Sequence, residues 1–177
     1  MKLVHMLVAV TLTVVFTASV VGKVRSRNAF AAFVRSVPAF GVPRRLAGPV
    51  ALIVTGAEAA VVCLLIWSLV AGGGAVGLWA ATALMSVLTV SVVRAVLRAD
   101  GARCRCFGSE DAVLGWLHVG RNAGLLLMAG GVALAGPGIA TADSQSLLVA
   151  APLGGLLALV VVRLEDLAVL VRSSSPA

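Results

Sequence analysis

Charge is what this chain has least of. Only 12% of its 177 residues are charged, where the average soluble domain carries about 25%. That is too little to coat a water-soluble globule of this size, which excludes an ordinary soluble enzyme, a disordered chain and a nucleic-acid-binding domain. Cysteine is scarce as well: three residues cannot make a disulfide framework. Internal repeats and low-complexity tracts are absent, and residues 173–177 read as a frayed polar tail. What is present is apolar residue, 60% of the chain, with a mean hydropathy of +1.09. Such a composition belongs to a membrane protein, and the length allows one domain, over residues 1–172.

A spanning helix needs about 20 mostly apolar residues. Five segments qualify: residues 3–21, 49–71, 75–93, 113–135 and 146–162. The last is short and contains Pro152, so the fold class is an all-α bundle of four to five transmembrane helices. A signal peptide is the alternative for the first segment, with Lys2 as its n-region. Its apolar stretch exceeds a typical h-region, no A-x-A site follows, and four more apolar segments favour a membrane helix.

The cations set the orientation. Lys23, Arg25, Arg27, Arg35, Arg44 and Arg45 lie between spans one and two. Arg94, Arg98, Arg103 and Arg105 lie between spans three and four, and Arg163 and Arg172 follow span five. With five spans all of these fall on one side, and Lys2 falls on the other. The positive-inside rule predicts the N-terminus out and the C-terminus in, across a bacterial plasma membrane. Trp67 and Trp79 then mark the outer interface and Trp116 the inner one. In the first basic loop, Phe30, Phe33, Val34 and Val37 keep i, i+3, i+4, i+7 spacing, and Pro38 follows. This pattern predicts a short helix lying in the membrane surface, held by apolar burial and anionic lipid; a plain loop with greasy residues is the alternative.

Glu58, His118, Arg121 and Asn122 are polar groups within spans. Glu58 and Arg121 each lie eight or nine residues from the inner end of their segments, so both sit about 12–14 Å deep on one side. Opposite charges at one depth are expected to pair, either to fix packing or to tune nearby chemistry. Asn122 can hydrogen-bond between helices, and His118 shares the face of Arg121. Cys63 reads as a small core residue.

The loop before span four reads Arg103-Cys104-Arg105-Cys106-Phe107-Gly108-Ser109-Glu110-Asp111. Two cysteines at i, i+2 can form only a strained, readily reduced disulfide. Flanking Arg103 and Arg105 favour the thiolate, the reactive form, and Ser109 is placed to cap the helix that follows. Cu(I) or zinc is an alternative ligand for the thiols, although no second Cys/His cluster completes a tetrahedral site, so no metal site is assigned.

Taken together these residues resemble the MauE family, within the wider group of DoxX-like, redox-associated bacterial membrane proteins. The matching pieces are Gly22-Lys23-Val24-Arg25, Phe40-Gly41-Val42-Pro43, Leu46-Ala47-Gly48-Pro49 followed by Glu58, Cys104-Arg105-Cys106-Phe107-Gly108, and Arg121-Asn122. They cover about residues 5–135. The resemblance implies processing, transport or maturation of the disulfide-rich small subunit of methylamine dehydrogenase, beside a thioredoxin-fold partner. On that reading Cys104 and Cys106 exchange disulfides, with Arg103, Arg105, Phe107, Gly108, Lys23, Glu58, Arg121 and Asn122 in support. The bundle is also similar in plan to thiol oxidoreductases of the DsbB and vitamin K epoxide reductase type. Those carry C-x-x-C and a quinone. This chain has a single C-x-C pair, so no cofactor is evident in it, and a quinone is the alternative that the departure leaves unsupported.

The expected partners are the lipid bilayer and a thioredoxin-fold protein, with no nucleic acid. The family role suggests thiol chemistry outside the membrane, whereas charge counting places the C-x-C inside. The other readings are a non-catalytic membrane scaffold or small transporter subunit, and a Cu(I)-binding membrane protein.

Overall fold

Six α-helices build the described chain. In the computed structural model, residues 2–71, 75–98, 115–136 and 144–164 are described. The helices are α1 (Lys2–Val24), α2 (Arg27–Ser36), α3 (Ala47–Ala71), α4 (Val76–Leu97), α5 (Trp116–Leu134) and α6 (Ser144–Val162). Five are long and apolar enough to span a bilayer, and α2 is the short exception. A segment in hydrocarbon must satisfy its backbone internally, and a helix does so. The fold is therefore the expected helical membrane bundle. The last segment, whose status as a span was open, is a helix that runs through Pro152.

Local chemistry sets the ends. Pro49 lies in the first turn of α3, where helix N–H groups have no intrahelical partner and a missing one costs nothing. Ser26 caps α2 from extended backbone, its Oγ accepting the Ala29 N–H at 3.0 Å. A 3₁₀ turn over Val37–Phe40 then ends at Gly41, whose φ of 87° lies in the left-handed region. A Cβ there would also collide with the Arg98 guanidinium, which lies against the turn.

α1 is the hub, packed against α3, α5 and α6, while α4 joins α3 and α5. Its Val8, Leu12, Val15 and Phe16 meet Val61 and Leu65 of α3, Leu78 and Met85 of α4, Leu125 of α5 and Ala158 of α6. Thr11 Oγ1 donates to the Leu7 carbonyl at 2.8 Å and the Gly154 carbonyl at 3.2 Å, tying α1 to α6. At the N-terminal end of α1, His5 Nε2 donates to the Gly136 carbonyl beyond α5 at 3.2 Å. At Gly77 the backbones of α3 and α4 come so close that a Cβ would lie 2.8 Å from the Leu64 carbonyl oxygen.

The outward faces are apolar too. Ile53, Val70, Leu127 and Leu148 are each at least 69% exposed. Soluble monomers rarely expose contiguous apolar surface on this scale; in a bilayer it is the surface that meets acyl chains. Trp67, Trp79 and Trp116 are exposed near helix ends, where amphipathic rings suit the headgroup boundary.

α2 forms where the i, i+3, i+4, i+7 spacing predicts it. Its Phe33, with Val37 just beyond, packs on Ala47 and Ala51 of α3, and Phe30 and Val34 join the same cluster. Arg27 and Arg35 stay exposed. The helix thus lies across the end of the bundle with its apolar side on α3.

Candidate functional site

Lys23 occupies the last turn of α1 and is only 2% exposed. It continues the stripe Leu12, Phe16, Ser19 down the core face of α1, at spacings of four, three and four. Helix side chains lean toward the N-terminus, so the long stem of Lys23 runs back into the membrane interior. Its Nζ donates to Glu58 Oε1 at 2.8 Å, to Oε2 at 2.7 Å, and to Ser19 Oγ at 2.5 Å. Ser19 Oγ in turn donates to Glu58 Oε1 at 3.1 Å. The ammonium also sits 5.0 Å from the centre of the Phe33 ring, within cation–π range. Three elements thus converge on one buried ion pair: α1 brings Lys23 and Ser19, α3 brings Glu58, and α2 brings Phe33.

This corrects two sequence expectations. Glu58 forms its salt bridge with Lys23, not with Arg121, because the lysine stem spans the depth that separates the two backbones. Lys23 itself is a core residue of α1 and not a loop cation.

Arg121 and Asn122 nonetheless face the same interior. With His118 they form an i, i+3, i+4 face of α5, and all three are buried. Gly115 N–H donates to His118 Nδ1 at 3.3 Å, capping the start of α5. A neutral His118 in that arrangement carries its proton on Nε2. Arg121 is engaged in an interaction of its own.

Lys23, Glu58, His118, Arg121 and Asn122 line one cavity of about 160 Å³. Its remaining walls are largely apolar, from Val15 and Phe16 on α1 to Leu88 and Val92 on α4. Phe33 and Phe40 close it on the α2 side. The structure therefore gathers five of the residues named from sequence: Lys23, Glu58, His118, Arg121 and Asn122. Ser19 was missed, although its spacing from Lys23 was a usable signal.

Cys104 and Cys106, with Arg103, Arg105, Phe107 and Gly108, lie outside the described residues, as does the Ser109 cap. Cys63 is exposed on the outer surface of α3 and is not in the core. Among the described residues no three His, Cys, Asp or Glu side chains come together as a metal site.

The family model for methylamine utilisation protein MauE matches residues 1–135. That span includes the whole ion-pair cluster and every cavity wall. No curated protein and no solved structure gives a significant match.

Proposed function

The chain belongs to the MauE family, and from that premise we propose that it is a membrane thiol-redox factor serving the maturation of a secreted, disulfide-rich protein of methylamine utilisation. One observation carries this reading: the Cys104-Arg105-Cys106 sequence in the segment that precedes α5, with Arg103 and Arg105 next to the cysteines in the sequence. The exchange needs no outside oxidant in its own step. A thiolate of this pair attacks a disulfide of a thioredoxin-fold partner, and one partner sulfur leaves as a thiol. The second cysteine then attacks the mixed disulfide. The partner leaves as a dithiol and Cys104–Cys106 becomes the disulfide. Two electrons and two protons pass to the partner, and cytosolic thiols then reduce Cys104–Cys106 back to the dithiol by the same exchange, becoming a disulfide themselves.

In this proposal the chain sits in a bacterial plasma membrane with its N-terminus out. The support is the run of arginines between α1 and α3 and after α4, set against Lys2 alone. The C-x-C then faces the cytoplasm and draws on cytosolic thiols.

The test is trapping. Cys104→Ser and Cys106→Ser are each expressed with the partner present, because loss of the resolving cysteine strands the mixed disulfide. One of them should give a larger band that collapses on adding reductant. If neither does, and alkylation shows both thiols unchanged between oxidising and reducing conditions, the redox reading fails. A second reading then leads, favoured by the closed Lys23–Glu58–Ser19 cluster: a membrane scaffold whose buried charges fix helix order.

A further inference from the structure

We propose that the cavity among α1, α2, α3, α4 and α5 is a binding site for a small lipophilic carboxylate, an anion with a compact apolar body. The first argument is an unsatisfied donor. Arg121 is 8% exposed and lines the cavity. It has an interaction elsewhere, yet among the described residues its Nε is the buried side-chain nitrogen or oxygen that finds no hydrogen-bond partner. A buried donor left unsatisfied is costly and calls for an explanation. A guanidinium holds five N–H donors in one fixed plane, so an acceptor at Nε leaves the existing interaction in place. A carboxylate seated beside Arg121 supplies that acceptor, and the bond is charge-assisted on both sides.

The second argument is charge. Lys23, Glu58 and Arg121 line the cavity with two cations and one anion. Lys23 and Glu58 neutralise each other across 2.7 Å, and Arg121 adds positive charge on the α5 side. A carboxylate entering an apolar cavity needs a counter-charge to offset its lost hydration, and the guanidinium is that counter-charge. A cationic ligand would meet repulsion at the same wall.

The third is size and wall. The cavity holds about 160 Å³, and an apolar cavity of about 150 Å³ accepts one benzene ring. Phe16, Phe33 and Phe40 present aromatic surface, with Val92 and Leu125 among the aliphatic walls. A diacyl lipid is too large for this space. A phosphate head brings more acceptor oxygens than one unsatisfied N–H can serve, whereas a carboxylate brings two. Neither Cys104 nor Cys106 enters into this site.

The test uses the full chain in nanodiscs of zwitterionic lipid at neutral pH, with para-fluorobenzoate as the probe and its fluorine resonance as the readout. Binding should saturate. Fluorobenzene and para-fluorobenzamide keep the ring and lack the charge, and each should bind about tenfold more weakly. Phenyl phosphate, which stands for a phosphate head, should also be weaker. Arg121→Lys keeps a cation but removes the Nε–H, so it should weaken the acid about tenfold and leave fluorobenzene unchanged. A photoreactive analogue, para-azidobenzoate, used on the unaltered chain, should cross-link to cavity residues such as Val92 and Leu125. That readout stands even if the Arg121 variant fails to fold. A Cys104→Ser, Cys106→Ser double variant should bind normally, which separates this site from the thiol reading. Absence of saturable binding, the amide or phenyl phosphate binding as tightly as the acid, an unchanged affinity in folded Arg121→Lys, or cross-links confined to outward faces would each overturn the proposal.

Discussion

Replacing Glu58 by glutamine should be among the most damaging single changes in the chain. The carboxylate receives two hydrogen bonds from Lys23 and one from Ser19, and both partners of the pair are almost fully buried. Glutamine keeps the shape but turns one acceptor into a donor that points at an ammonium. Lys23 then retains a charge with Ser19, the Phe33 ring and a single amide oxygen to stabilise it. Breaking a buried pair on one side costs about 3–5 kcal/mol in soluble proteins. For a chain of this length each kcal/mol moves the midpoint by roughly 2–4 °C, so the expected loss is on the order of 6–20 °C. Lys23→Met should cost as much, because it strands the carboxylate. Changing both residues to methionine removes both charges and fills the space. Replacing a whole buried pair with apolar residues is often neutral or stabilising, so the double variant should recover most of the loss. The assay is thermal unfolding of purified protein in detergent, followed by size exclusion. A double variant no more stable than either single, or two singles that melt with the unaltered chain, would refute the reasoning. So would a coupling between Glu58 and Arg121 larger than that between Glu58 and Lys23.

Two other outcomes are expected. Reporter fusions after Gly73 and Gly138 should read as external and a fusion at Asp100 as internal; an external signal at Asp100 would invert the orientation and move the cysteines to the other side. Gly77→Ala should lower the melting temperature by several degrees, because its Cβ meets the α3 backbone at Leu64 and Leu65. Gly124→Ala, with open space around it, should be neutral or slightly stabilising, and equal effects at the two sites would argue against the close α3–α4 approach.

Hydropathy made the five spans legible, since length and apolarity are what a bilayer demands of a helix. The amphipathic spacing of Phe30, Phe33, Val34 and Val37 made α2 legible in the same way. The ion pair was harder. Depth counted from span ends treats a residue as a point on its backbone, and on that measure Arg121 matches Glu58. Lysine is the exception to such counting, because its long stem leans toward the helix N-terminus and reaches inward. The face of α3 was also hidden. Its buried seam runs Ala47, Ala51, Thr55, Glu58, Val61, Leu65, Ser68, but the opposite face is equally apolar. No contrast in polarity marked Cys63 as outward, and only the spacing from Glu58 excludes it from the seam.

The Lys23–Glu58 pair also bears on the order in which the bundle assembles during synthesis. α1 enters the bilayer first, and before α3 arrives Lys23 stands at the helix end, where its ammonium can reach lipid phosphates. Glu58 has no such refuge, since it enters near the middle of α3, where an acidic residue costs about 2.5–3.5 kcal/mol to insert. A lysine already waiting in the membrane offsets that cost at the moment it falls due. In the finished bundle the first helix thus supplies the counter-ion that the carboxylate of the third needs, and Phe33 of the surface helix lies against the joined charges.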